Sequence, residues 1–368
     1  MGMSDLASFA KLARSDAQLP VNVYFDDALL QQEIKQLFHQ GPRYVGHELM
    51  VPNVNDYATL AWEKEGRMLV RGPHGIELLS NVCRHRQAKM VDGRGNSANI
   101  VCPLHRWTYD LQGELIGAPH FENTPCLNLP KTQLQSWNGL LFEQNGFDVA
   151  KTLAGLGVTK DLDFSGYMLD HVEVHNCDYN WKTFIEVYLE DYHVEPFHPG
   201  LGNFVTCSDL RWEFGENYSV QTVGINHALS KFGSPKYKRW QEQVMKFRNG
   251  VVPQHGAIWL TLYPNIMVEW YPHVLVVSTV WPNGTNKTTN VVEFYYPEEI
   301  VLFEREFVEA ERDAYMETCI EDDEIGVRMD AGRRILLERG VNEVGPYQSP
   351  MEDGMQHFHE WYRNRIAL

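Results

Sequence analysis

Cys83-Arg84-His85 and, after sixteen intervening residues, Cys102-Pro103-Leu104-His105 form the stretch on which the reading of this chain turns. Each short loop supplies one thiolate and one imidazole. A Rieske [2Fe–2S] cluster takes that mixed set, two Cys on one iron and two His on the other, and so has a higher potential than an all-Cys ferredoxin. A structural zinc ion is the rival. Zinc fingers pair Cys with Cys and His with His at their own spacings, so zinc comes second. A Rieske centre is a station on an electron path, and the rest of the chain has to supply the acceptor.

Outward from the two loops, the sequence reads as short strands and turns. Segments 68–71 and 76–80 flank Gly72-Pro73-His74-Gly75, and segments 107–111 and 114–116 flank Gln112-Gly113, two hairpin signals. A small all-β unit over 44–150 therefore carries the loops and aims their ligands inward from two directions. Before it, 24–40 reads as a helix: Asp26 and Asp27 suit the first turn, Leu29, Leu30, Ile34, Leu37 and Phe38 share a face, and Gly41-Pro42 ends it.

After Asn145-Gly146 the composition shifts. A helix is predicted over 181–193, ended by Pro196 and Pro199. Antiparallel strands follow over 257–262, 266–270, 274–281 and 288–295, rich in β-branched and aromatic residues. One long helix or two runs from Pro297-Glu298-Glu299 to Gly340, with Pro and acids at the start and Gly at the stop. The expected architecture is α+β: an N-terminal helical segment (1–43), a small all-β cluster domain (44–150), and a domain (151–368) in which an antiparallel sheet is gripped by a long helix.

Composition excludes several classes. Hydrophobic content of 43% and charged content of 22% over 368 residues are those of a globular protein of two domains. No run approaches the roughly 20 apolar residues of a membrane span. Residues 1–16 lack a signal-peptide pattern, and Leu6 stands where myristoylation wants Ser or Thr. A cytoplasmic protein without membrane contact is expected. A net charge of −17 argues against nucleic acid and favours at most steering of a basic redox partner. Cys126, Cys177, Cys207 and Cys319 have no regular spacing and read as ordinary thiols.

The acceptor is suggested by the run from Asn180-Trp181-Lys182 to His198, where His193 and His198 sit among carboxylates. Glu190 and His193, three apart, are expected on one helical face. Pro196 disfavours helix at Glu195, so the chain can turn and swing His198 toward the same metal. Two imidazoles and one carboxylate make the facial triad of non-haem Fe(II) oxygenases, with positions left open for dioxygen. The run Glu321-Asp322-Asp323-Glu324 can supply the carboxylate, although such runs are usually solvated helix faces. A Rieske donor upstream makes the iron reading the stronger one, because the two centres are chemically matched.

On these motifs the chain resembles the α subunit of Rieske non-haem iron aromatic-ring-hydroxylating oxygenases. The resemblance runs from Pro20-Val21-Asn22-Val23-Tyr24 to His357-Phe358-His359. Asn81 to Arg86 and Cys102 to Asp110 match the cluster motif; Asn180-Trp181-Lys182 and the Glu190/His193/His198 spacing match the iron motif. It implies a Rieske domain followed by a helix-grip catalytic domain. Cys83, His85, Cys102 and His105 would hold the cluster, and His193, His198 and Asp322 (or Asp323) the mononuclear Fe(II). Glu190, or Glu195 in its place, would bridge one subunit's iron site to the next subunit's cluster in a homotrimer. Three departures stand out: Arg106 where the family has Gly, Val187 where Asn is common, and Glu instead of Asp at position 190.

The resemblance also implies electrons from NAD(P)H through a separate flavin/iron–sulfur reductase, since no dinucleotide fingerprint is present here. It leaves the reaction as hydroxylation or demethylation of a small organic substrate, aromatic or alkylammonium. Val187, Phe204, Cys207, Ile225 and Trp259 are expected as pocket walls. The alternative is an electron carrier or ligand-binding protein with an inactive second domain. Iron content separates the two.

Overall fold

Segments dense in β-branched and aromatic residues form a single antiparallel sheet in the second half of the chain. Its strands are β1 (Tyr167–Cys177), β2 (Val205–Gly215), β3 (Tyr218–Ile225), β4 (Ala257–Leu262), β5 (Ile266–Tyr271), β6 (Val274–Pro282) and β7 (Thr288–Pro297), in the spatial order β1-β7-β6-β5-β4-β3-β2. The computed structural model describes residues 17–60 and 62–366, so the expectations for 1–16 lie outside the described residues. The inner strands are buried along nearly their whole length, as continuous runs such as Ala257-Ile258-Trp259-Leu260-Thr261-Leu262 require.

The sheet is packed by helices α1 (Asp27–Glu33), α2 (Trp181–Tyr188), α3 (Val194–Phe197), α4 (Pro235–Phe247), α5 (Arg305–Glu338) and α6 (Asp353–Ile366). Helix α5 has 34 residues and is therefore roughly 51 Å long. The predicted long helix is two pieces: Glu298–Phe303 stops where Glu304 leaves helical geometry (φ −123°, ψ 55°), and α5 starts there. It ends before Gly340, which takes a left-handed φ of 66° that a side chain would resist. The helix predicted over 24–40 is shorter, with Asp26 capping Ala28 and Leu29 and a wider turn over Ile34–Phe38.

Two compact units divide the described residues: those of Pro42–Lys151, and residues 17–41 together with 152–366. In the smaller unit a five-stranded sheet includes the hairpin Arg67–Gly72/Gly75–Ser80. A three-stranded sheet of Ile100–Val101, Thr108–Tyr109 and Leu115–Gly117 carries the second Cys-His loop. In the larger unit Leu19, Tyr24, Leu30, Leu37 and Phe38 share a core with Trp181, Tyr263, Phe358 and Tyr362.

The Asn180-Trp181-Lys182 motif explains how α2 is pinned. The Asn180 side chain accepts from Lys182 N at 2.9 Å and donates to the carbonyls of Tyr24 and Thr285. Asp330 on α5 accepts from Asn180 N (2.7 Å) and the Thr183 hydroxyl (2.6 Å). Lys182, fully buried, donates to Glu33 on α1 at 2.7 Å, and Trp181 donates to the same carboxylate. Glu33→Ala would strand the Lys182 ammonium in the core and should cost about 3–5 kcal/mol. Thermal unfolding of the variant would show it, and an unmoved transition would mean that Lys182 has another partner.

Candidate metal centres

Cys83 and Cys102 are buried at the base of their loops, whereas His85 is half-buried and His105 exposed at the rim. Backbone bonds close both loops: Gln87 N donates to Cys83 O (3.0 Å), Arg106 N to Cys102 O (3.1 Å) and Cys102 N to Trp107 O (2.8 Å). The Tyr109 hydroxyl accepts from Arg84 N and lies 3.7 Å from Cys83 Sγ. The two imidazoles approach edge to face at 4.7 Å, and His85 stacks on Trp107 at 4.9 Å. Nδ1 of His85 is buried without a protein partner. An orphaned imidazole nitrogen beside two buried thiols fits a metal–sulfur group with an exposed His-bound iron. Arg106 sits at φ 60°, a conformation that costs a side chain on the order of 1 kcal/mol.

The iron motif folds differently from its expected helix. Helix α2 stops at Leu189, and the Glu190 carboxylate instead accepts from the backbone of Tyr192 (2.6 Å) and His193 (3.0 Å), building a turn. This competition from a side-chain acceptor ends the helix. Glu190 and His193 therefore do not share a helical face. Nor does Pro196 keep helix from Glu195: both lie in α3, where Pro falls in the first turn and blocks no hydrogen bond. His193 and His198 flank α3, and their rings stand 4.9 Å apart.

Both imidazoles are oriented from behind. Glu190 engages Nδ1 of His193 through a short hydrogen bond, and Glu321 meets Nδ1 of His198 at 2.7 Å. Their Nε2 atoms converge on Asp322 Oδ1, at 3.5 Å and 3.1 Å. That oxygen is buried, yet neither nitrogen is aligned to hydrogen-bond it. Three donor atoms gathered within 4.8 Å with lone pairs converging, each His backed by a carboxylate, suit a mononuclear metal. Burial works against charge on His193, but Asp322 and Glu190 outweigh it and raise its pKa to about 10. Asp322 would also be raised by burial, and the two imidazoles bring it below its usual value.

Asp323 faces elsewhere, bonded to His175 Nε2 (2.6 Å) and the Tyr179 hydroxyl (3.0 Å). Glu195 is exposed on α3. Glu321 was not singled out by sequence reasoning; its place one residue before Asp322 in an acidic run carried no distinguishing signal.

The triad opens into a partly enclosed cavity whose mainly apolar lining carries a few convergent polar groups, the character of a small-molecule site. Val187 and Trp259 line it as expected. Phe204, Cys207 and Ile225 do not; Phe204 stacks behind Trp240 at 4.2 Å, and the other two lie in the core around it. Sequence reasoning did not foresee the buried carboxylates in the lining, Asp191, Glu269 and Glu311. Among the described residues no helix is long and apolar enough to cross a membrane.

Comparison with known proteins supplies the context. The family model for the ring hydroxylating alpha subunit (catalytic domain) matches residues 164–368, and that for the Rieske [2Fe-2S] domain matches 41–132. The chain is 72% identical to putrescine 2-hydroxylase of Ralstonia nicotianae, over 98% of this chain and 99% of that protein. It is 57% identical to putrescine 2-hydroxylase of Bordetella bronchiseptica, over 98% and 87%. Carnitine monooxygenase oxygenase subunit of Escherichia coli is 26% identical over 93% and 91%. The fold of this chain matches the crystal structure of a quaternary ammonium Rieske monooxygenase bound to L-carnitine, with TM-score 0.72 and 21% identity over 95% of this chain and 96% of that one.

Proposed function

Because this chain belongs to the Rieske non-haem iron oxygenases as a catalytic α subunit, with a [2Fe–2S] cluster and a mononuclear iron, we propose that it hydroxylates a short aliphatic diamine, putrescine being the first candidate. The observation that carries the reading is the near full-length likeness to a putrescine 2-hydroxylase at 72% identity. The acidic cavity supports it, since an aromatic hydrocarbon has no use for buried carboxylates. An aliphatic amine is accordingly preferred to the aromatic ring suggested by the family's name.

In this reading Cys83, His85, Cys102 and His105 hold the cluster, and His193, His198 and Asp322 hold the iron. When bound, the iron supplies dioxygen activation and the cluster passes it electrons. The chain's own groups do the rest. Glu190 and Glu321 keep Nδ1 of each imidazole hydrogen-bonded, so that Nε2 is presented to the metal. Val187, Leu201, Trp240 and Trp259 wall the cavity with apolar surface and keep water from the reacting carbon. One oxygen atom enters the substrate and the other leaves as water, with electrons drawn from NAD(P)H through a separate flavin/iron–sulfur reductase. A head-to-tail homotrimer would bring one subunit's cluster to the next subunit's iron, with Glu190 between them.

The test is NADH-dependent oxygen uptake with a matching reductase and putrescine, with mass spectrometry for a product heavier by one oxygen. Formation of hydroxyputrescine is expected. Oxidation of a trimethylammonium compound or an arene, with linear diamines untouched, would overturn the reading.

Glu190→Gln should lower turnover roughly 10–100-fold, the usual cost of losing a group that orients a metal-bound His. If Glu190 only orients His193, excess Fe(II) should restore much of the rate. If it also bridges subunits, iron stays bound and the electron-transfer step, read by rapid mixing of reduced enzyme with oxygen, remains slow.

A further inference from the structure

One face of α5 runs along the cavity. Glu311, Tyr315, Thr318 and Asp322, spaced four, three and four apart, all line it. Glu311 and Asp322 are therefore about 16 Å apart along the helix axis, with the triad at one end and a second acidic group toward the other. Glu269, on β5 and paired across the sheet with Trp259, also lines the cavity and accepts from the hydroxyl of Tyr315, four residues from Glu311 on the same helix.

Both carboxylates are 1% exposed. The hydroxyls of Tyr271 (2.8 Å) and Tyr315 (3.0 Å) donate to the two oxygens of Glu269. Tyr296 donates to Oε2 of Glu311, whereas Oε1 of Glu311 is buried with no donor. Among the described residues, no Lys or Arg lines this cavity or forms an ion pair with either Glu. Two anions buried without a cation are costly, and an orphaned acceptor adds to that cost.

We infer that Glu269 and Glu311 are the anchor for the primary ammonium group at the substrate end remote from the iron, so that α5 gauges substrate length against the metal. This deepens the amine reading of the preceding subsection and rests on it. A primary ammonium brings three N–H donors and one positive charge, enough to satisfy Glu311 Oε1 and to compensate one ionised carboxylate of the pair. A quaternary ammonium brings the charge and no donor. Tyr237, Trp240, Trp259 and Tyr271 supply faces for the methylene chain and for cation–π contact.

Burial dominates the protonation of the pair. Burial raises Glu269 to about 7, against the hydrogen bonds from Tyr271 and Tyr315 and with the charge of Asp322 adding to the rise. Burial raises Glu311 to about 8, with Tyr296 and Arg312 opposing and Glu269 and Asp170 adding. Near neutral pH both carboxyls are thus partly or largely protonated, and an arriving ammonium favours the charged form of one of them. Binding should release protons.

Calorimetry of putrescine binding to the fully loaded enzyme, kept anaerobic to prevent turnover, tests this. The expected result is a binding enthalpy that varies with the ionisation enthalpy of the buffer, and affinity for putrescine well above that for its N-permethylated analogue. Glu311→Gln and Glu269→Gln should each weaken putrescine about tenfold or more and reduce the proton release, while an unchanged mononuclear iron content and thermal transition report an intact catalytic unit. Unchanged affinity and proton release in both folded variants would overturn the anchor and leave water as the partner of Glu311. If the variants do not fold, wild-type enzyme that binds putrescine without proton release, and its permethylated analogue equally well, overturns it too. Wild-type enzyme that binds no linear diamine sinks the substrate reading itself.

Discussion

Asp322→Ala should empty the mononuclear site and lower product formation by more than roughly a hundredfold, since losing even a supporting partner of a ligand costs 10–100-fold. The reason is geometric. Oδ1 of Asp322 lies 3.5 Å and 3.1 Å from the Nε2 atoms of His193 and His198, and no other carboxylate makes a three-donor group with that pair among the described residues. The cluster should remain reducible by its partner, because its ligands lie in a separate unit. Asp323→Ala is the control: it loses contacts to His175 and Tyr179, a cost in stability that leaves iron bound. Metal analysis and product yield on both variants decide it. Full activity in Asp322→Ala with loss in Asp323→Ala would shift the ligand by one residue.

Cys102→Ser should abolish the visible absorption and the Rieske-type paramagnetic signal of the reduced protein, and with them all turnover, while the mononuclear iron stays. Serine is a far poorer iron–sulfur ligand than a thiolate, and Cys102 is 2% exposed, so no solvent ligand readily replaces it. A His193→Ala chain has the opposite defect. Each is expected to be inactive alone, whereas co-expressed chains should recover activity wherever an intact cluster meets an intact iron across a subunit boundary, as head-to-tail cyclic assembly permits. Recovery would establish transfer between subunits. Mixed oligomers that stay inactive would mean that electrons pass within one chain. A colourless, zinc-loaded wild type would end the cluster reading altogether.

The later strands were legible because β-branched runs bounded by Pro and Gly admit few other structures; 257–262 and 288–295 lie within β4 and β7. Strand β2 went unread because Asp209, Arg211 and Glu213 break its apolar pattern, as befits a sheet edge where one side meets water. Helix α4 also escaped notice, although Ser234 as its cap and Pro235 at its first position are a recognisable start. The helix expected over 181–193 is shorter in the structure, ending after Tyr188, because local periodicity says nothing about a carboxylate that folds back onto its own backbone.

Sequence alone determined the chemistry: two Cys-His loops and a His pair near an acidic run name their metals, because ligand identity and short spacing are local properties. Tertiary structure decided what depends on distant residues meeting. It turned Asp322 toward the His pair and Asp323 away, gave His198 its partner Glu321 across 123 positions, and joined Glu269 of a strand to Glu311 of a helix at one cavity. A carboxylate's role is set by what it faces once buried, and that depends on packing that no short window of sequence contains.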